Sequence, residues 1–209
     1  MDIQFYGANC ISIVHKATRI VVDDNLADLG KRSILKPDDI ALFTGAFERK
    51  TLPAARLILD SPGEYEVADI SIMGLAARHH QDEPEQHNAT MYKITAGDIN
   101  LLVTGHVFPQ FDDSQLEAIG LVDVVMIPVG GHGYTLDPKG ALTVIKEIEP
   151  KLVIPTHYES SSVKYPVPQL SLTDALKEIG MEPKETAPKL KLKPTDLSDV
   201  MQLVVLEVS

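Results

Sequence analysis

The apolar pattern changes character midway along this 209-residue chain, and that change restricts the folds open to it. The first half is a series of short runs rich in β-branched residues. Ile3-Gln4-Phe5-Tyr6, Cys10 to Val14 and Arg19 to Val22 are separated by Gly7-Ala8-Asn9 and His15-Lys16-Ala17. Runs of four to six such residues bounded by small or polar ones predict strands. Further strands are expected over 40–43, 56–59, 69–73, 90–95 and 99–104, with Ala96-Gly97-Asp98 as a hairpin turn. The second half alternates strand and helix. Asp112-Asp113-Ser114 caps a helix over Gln115 to Ile119 that Gly120 ends, and Val122 to Pro128 is a strand. Asp137-Pro138 opens a helix to Ile148, with Leu142, Ile145 and Ile148 at helical spacing and Pro150 as its stop. The strand Leu152 to Pro155, a helix from Ser171 to Gly180 and a strand from Met201 to Val208 complete the series. No repeat, linker or low-complexity tract interrupts it, so one domain over 1–209 is expected.

Charge and cysteine content exclude several function classes. The net charge of −11 argues against a nucleic-acid partner, which needs clustered Lys and Arg. The most basic stretch, Lys184 to Lys193, alternates charge with leucine as a guarded edge strand does. No apolar run approaches the roughly 20 residues of a membrane span, so no membrane partner is expected. The opening Met1-Asp2-Ile3-Gln4 has neither a basic region nor an apolar leader, which predicts a cytoplasmic protein. The single cysteine, Cys10, cannot form an internal disulfide and reads as a buried, inert thiol.

The chemistry-bearing residues stand where strands run out. Leu152-Val153-Ile154 leads into Pro155-Thr156-His157-Tyr158, Leu101 to Thr104 into Gly105-His106, and Ile70 to Gly74 towards His79-His80. Loops at strand C-terminal ends carry ligands in α/β folds. Neutral imidazoles converging there are what zinc needs, three or four donors at about 2.0–2.3 Å. His132 lies in a glycine-bearing loop and is a further candidate, whereas His15 and His87 read as surface residues.

Several blocks resemble a known family. Leu59-Asp60-Ser61-Pro62-Gly63-Glu64-Tyr65-Glu66-Val67 is similar to a segment of small metallo-β-lactamase-fold hydrolases. Phe5 to Cys10 resembles their first hairpin. The stretch from Leu116 to Tyr158 resembles the branch of zinc-dependent hydrolases related to L-ascorbate-6-phosphate lactonase. The resemblance covers nearly the whole chain. It implies a four-layer αββα sandwich of two mixed sheets, and it implies self-association as a homo-oligomer.

That superfamily binds two metals through His-x-His-x-Asp-His, a mid-chain histidine, a bridging aspartate and a late histidine. By the resemblance, His157 matches the late histidine and His79 the mid-chain one, with His80 competing for the role. The central motif is missing: Thr44-Gly45-Ala46-Phe47-Glu48-Arg49-Lys50 stands in its place, with Gly45, Phe47, Arg49 and Lys50 at the four ligand positions. The bridging aspartate is replaced by His106, and the family's first-turn Gly-His is Gly7-Ala8. A histidine cannot bridge two metals as a carboxylate does, so the dinuclear site is not expected.

Two readings follow. In one, His79, His106 and His157 hold a single divalent metal, zinc or another, with Glu48, His80 and His132 as additional pocket residues. The protein is then a hydrolase of a small-molecule lactone, ester or phosphoester. In the other, the fold survives as an inactive binding or assembly module without metal. A weaker third has Arg49 and Lys50 binding an anion. Glu64 is expected to close the pocket or cap amides at the 60–63 turn.

Overall fold

A computed structural model of the chain describes residues 1–46 and 54–209. Fourteen strands form two mixed sheets among these residues. The smaller contains β1 (Asp2–Gly7), β2 (Cys10–His15), β3 (Thr18–Val22), β4 (Ile40–Leu42), β5 (Leu57–Leu59) and β13 (Leu190–Lys191), in the order β13-β1-β2-β3-β4-β5. The larger contains β6 (Gly63–Val67), β7 (Ile70–Ala77), β8 (Ala89–Ala96), β9 (Ile99–Val103), β10 (Val124–Pro128), β11 (Leu152–Thr156), β12 (Glu185–Ala187) and β14 (Gln202–Leu206). Its order is β12-β14-β11-β10-β9-β8-β7-β6.

Local chemistry accounts for most boundaries. β1 alternates half-buried and buried residues, as a strand with one face on the core must. All five residues of β10 and of β11 are buried, the continuous apolar run of a parallel strand covered on both faces. Each fully buried Val, Leu or Ile there contributes roughly 1.5–3 kcal/mol. Pro155 has no N–H for a ladder. It falls where the pairing of β11 with β14 has already ended at Val153↔Leu203.

Parallel pairs need crossovers, and helices supply them. α1 (Asp113–Ile119) joins β9 to β10, α2 (Pro138–Ile148) joins β10 to β11, and α3 (Leu172–Ile179) follows β11. The caps are those anticipated: Asp112 accepts from Gln115 N–H in a capping box, Asp137 from Gly140 N–H, and Ser171 from Asp174 N–H.

One continuous apolar core joins the two sheets, from Ile3, Phe5 and Ile11 on one to Ile72, Tyr92 and Val125 on the other. The helices pack on the larger sheet, with α1 against β7 and α2 against β10. A second cluster, built on Cys10, Val21, Ala41 and Phe43, lies on the other face of the smaller sheet. Leu26 and Leu35 of the 23–39 segment cover it. The sandwich expected from sequence is therefore present. Among the described residues its cover on the smaller sheet is a 3₁₀ turn, Leu26–Leu29, with irregular chain. No helix among them is long and apolar enough to cross a membrane.

Three details correct the sequence reading. Asp69 does not begin a strand. With Ala68 it forms the two-residue turn between β6 and β7, both at positive φ (49° and 64°), as the twist of a tight hairpin requires. Glu64 is exposed and closes no pocket. Residues i and i+2 share a face, so Glu64 and Glu66 both point to solvent while Tyr65 packs on the core. The basic 184–193 stretch forms two short edge strands, one on each sheet, rather than one.

Candidate functional site

Strand direction decides what meets. β7, β9, β10 and β11 of the larger sheet run the same way, and so do β1, β3 and β4 of the smaller one. The loops after these strands border one cavity of about 260 Å³. It is lined by Ala8, Asn9, Asp23, Asn25 and residues 43–46 from the smaller sheet, and by His79, His80, Gln81, His106, Tyr134 and His157 from the larger.

Four imidazoles converge there. His79, His80 and His106 each have a ring nitrogen within 4.8 Å of the others'. The rings of His106 and His157 meet edge to face at 4.8 Å, and His79 stacks on His106 at 5.9 Å. The loops that carry them are fastened. His79 and Val107 form an isolated bridge, His79 N–H donates to Asp82 Oδ2 (2.9 Å), and His157 N–H donates across the sheets to Ala8 O (2.8 Å). Arg78 donates twice to Asp82 O (3.0 and 2.8 Å) and stacks over Phe108, which pins the turn beneath His79 and His80.

Hydrogen bonding sets the tautomers of two rings. His106 Nδ1–H donates to Tyr134 O (2.9 Å), which leaves its Nε2 with a lone pair. Gln169 uses its amide N–H groups on Val167 O and Pro168 O (3.0 and 3.1 Å), so its Oε1 accepts from His157 Nδ1–H at 3.1 Å. His157 Nε2 is thereby left as an acceptor too. An outer partner on one ring nitrogen, with the other free, is how metal-binding histidines are oriented. His79 differs: its Nδ1 accepts a long bond from Gln81 N–H (3.3 Å). His80 has carbonyl oxygens facing both nitrogens, His106 O at 3.4 Å and Gly133 O at 3.0 Å, which makes it the weakest ligand of the four.

Burial keeps these rings neutral. Desolvation pushes the His157 pKa down to about 4, partly offset by Gln169, and pushes His106 well below its ordinary value, helped by the neighbouring His157. His79 is lowered by burial and then by His80. Neutral imidazole is the form that ligates a cation.

The other wall carries a carboxylate turned inward. Asp23 is buried and accepts from Thr44 N–H (2.7 Å) and Thr44 Oγ1–H (2.6 Å), so both its oxygens are engaged. Burial raises its pKa to about 6 in spite of those bonds. Gly105, at φ +63°, lets Thr44 approach: a Cβ there would lie 2.3 Å from Thr44 Oγ1. Ala8, Asp23 and His157 all line the cavity at positive φ (51°, 48° and 53°), a backbone conformation that non-glycine residues hold only when surrounding contacts enforce it.

Of the residues singled out in the sequence, His79, His80, His106 and His157 are brought to this cavity. His132 is not: it sits exposed in the 131–133 turn at φ 55°. Glu48, Phe47, Arg49 and Lys50 lie outside the described residues. Sequence reasoning missed Gln169, Tyr134, Asn9 and Asp23. The run Asp23-Asp24-Asn25 directly after an apolar strand was a usable signal, whereas Gln169 has none, being one polar residue between Pro168 and Leu170 in an irregular loop.

The donor set suits a divalent cation: the ring nitrogens of His79, His80 and His106 lie within reach of one another, and His157 stands against His106 with its Nε2 free.

Comparison with known proteins agrees with this geometry. Residues 2–157 match the family described as the beta-lactamase superfamily domain, a span that takes in all four clustered histidines. A metal-dependent hydrolase of Chloroflexus aurantiacus is 27% identical over 190 residues, 82% of this chain and 72% of that protein. One from Thermococcus onnurineus is 30% identical over 102 residues, 47% of this chain and only 45% of its own length. Among solved structures, a Thermotoga maritima protein assigned to the Zn-dependent hydrolases of the metallo-β-lactamase superfamily superposes with a TM-score of 0.76 at 24% identity, over the full length of both chains. Igni18, a metallo hydrolase from Ignicoccus hospitalis, gives 0.59 at 16% identity, over 86% of this chain and 90% of its own. At these identities the two structures establish the fold.

Proposed function

We propose, for a chain that belongs to the β-lactamase superfamily, that His79, His106 and His157 hold one divalent cation, zinc or another. The cavity they line would hydrolyse a small lactone, ester or phosphoester. The observation that carries this reading is the pair of hydrogen bonds from His106 to Tyr134 O and from His157 to Gln169. They fix two buried rings as neutral, Nδ1-protonated acceptors beside a third. When bound, the cation supplies Lewis acidity towards a water and towards a carbonyl or phosphoryl oxygen.

The residues of the chain do the rest. Gln169 and the Tyr134 carbonyl hold the ring planes. Burial of His106 and His157 keeps protons off Nε2. His79 contributes after giving up its long bond to Gln81, and His80 stays tied to Gly133 beside the site. An all-imidazole donor set leaves the dication's charge uncompensated, which favours an anion or a developing oxyanion next to it.

The test is metal analysis of protein purified without an affinity tag, then hydrolysis of a panel of lactones, esters and phosphoesters. One equivalent of metal, lost in the His106→Ala and His157→Ala variants along with hydrolysis, is the expected result. Less than about a tenth of an equivalent after loading would sink it. A second reading, an inactive binding or assembly module, draws support from the replacement of the four motif ligands by Gly45, Phe47, Arg49 and Lys50 in the sequence. It is preferred if the metal-loaded protein hydrolyses nothing in the panel.

A further inference from the structure

The part of the cavity lining that comes from the smaller sheet contains two amide atoms that the protein leaves unpaired. Asn9 is 3% exposed. Its Oδ1 accepts from Thr156 Oγ1–H (3.0 Å), while its Nδ2 has no partner. Asn25 likewise borders the cavity with its Oδ1 buried and unpartnered. An unmet buried donor or acceptor costs on the order of 1–3 kcal/mol, and native proteins keep few of them. Here one unmet donor and one unmet acceptor belong to residues that border a single cavity.

The remaining polar group on this wall narrows what can satisfy them. Asp23 carries a bond from Thr44 on each oxygen and can only accept, and its charge disfavours a second anion nearby. We propose that Asn9 and Asn25 form a recognition subsite for a neutral hydroxyl of the ligand, accepting from Asn9 Nδ2–H and donating to Asn25 Oδ1. The hydroxyl is the smallest neutral group that does both. The proposal rests on the reading of this cavity as the substrate cavity. It then specifies the substrate class: an ester, lactone or phosphoester that also bears a free alcohol.

The experiment uses a non-hydrolysable pair, 4-hydroxypentan-2-one and pentan-2-one, in NMR titrations of the full-length protein with zinc and after chelation. Wild type should prefer the hydroxy ketone by about tenfold, the value of one well-made hydrogen bond. Asn25→Ala removes no side-chain hydrogen bond among the described residues, so it should fold normally and abolish the preference. Asn9→Ala should do the same, with Thr156 losing its partner. Equal affinities in wild type, a preference that survives both variants, or no saturable binding of either ketone would overturn the subsite. A preference that vanishes on chelation would move the hydroxyl to the cation, which overturns this proposal and leaves the metal reading standing. A preference that persists in protein unable to retain metal would do the reverse.

Discussion

The two walls of the cavity come from different sheets and use their polar residues in opposite ways. The larger sheet brings four histidine rings together, two of them with an Nε2 left free by an outer partner on Nδ1. The smaller sheet brings a buried carboxylate, Asp23, that Thr44 fastens with one hydrogen bond to each oxygen. The same kind of position, a residue just beyond a buried strand, thus becomes a ligand on one side and a fastening on the other. What separates them is the outer partner. A carbonyl or amide oxygen behind a histidine ring leaves its second nitrogen free, whereas an N–H and an O–H, one on each oxygen, hold a carboxylate in place.

The comparison breaks most directly at Gly130. A Cβ there would lie 2.0 Å from His157 O and 2.3 Å from Gln169 Oε1, so the histidine wall has no room for it. Gly130→Ala should lose about 3 kcal/mol in urea unfolding and abolish the protected His157 Nδ1–H resonance. Gly133→Ala, with open space around it but φ +71°, should lose only about 1 kcal/mol. Equal losses would show that backbone strain, not the packing of His157 and Gln169, dominates.

Acid should separate the walls in sign. His157 has a folded pKa near 4, below its unfolded value of about 6.5, so its contribution is present above pH 6.5 and is lost as pH falls towards 4. In metal-free protein that amounts to roughly 3 kcal/mol, at 1.36 kcal/mol per unit. Stability that did not fall on acidification in a His106→Gln background, where the other buried ring is removed, would contradict the burial of a neutral His157.

Asp23 should act the other way. Its folded pKa of about 6 lies above the unfolded value, so ionisation on raising the pH from about 4 to 6 costs stability. Asp23→Asn keeps an acceptor for Thr44 N–H and removes the buried charge. It should stabilise the protein by about 2 kcal/mol at pH 8, with little effect at pH 4. It should also steepen the acid loss from the histidines, which the wild-type aspartate partly offsets. A destabilised variant at pH 8 would mean that the charged bonds to Thr44 outweigh desolvation.

Much of the fold was legible because its signals are local. Asp112, Asp137 and Ser171 cap helices by bonding N–H groups three residues on, and Gly120 and Gly180 end two of them. The buried parallel strands read as unbroken apolar runs. The histidines after β7, β9 and β11 were legible for the same reason, each following its strand in sequence. Misreadings arose where only geometry decides: Glu64 shares the solvent face with Glu66, and His132 sits in a turn that carries it outward.

Sequence alone determined which residues stand at strand ends and which residues cap the helices. Those are properties of neighbours along the chain, set by side-chain period and capping. Tertiary structure alone decided which nitrogens are free, which carboxylate is fastened and which amides are unmet. Those outcomes hang on single hydrogen bonds between distant residues: Asp23 with Thr44 21 positions away, His106 with Tyr134 28 away, and Asn9 with Thr156 147 away. No local pattern encodes such a bond, because its strength depends on two loops being brought together and dried by the packing of the two sheets.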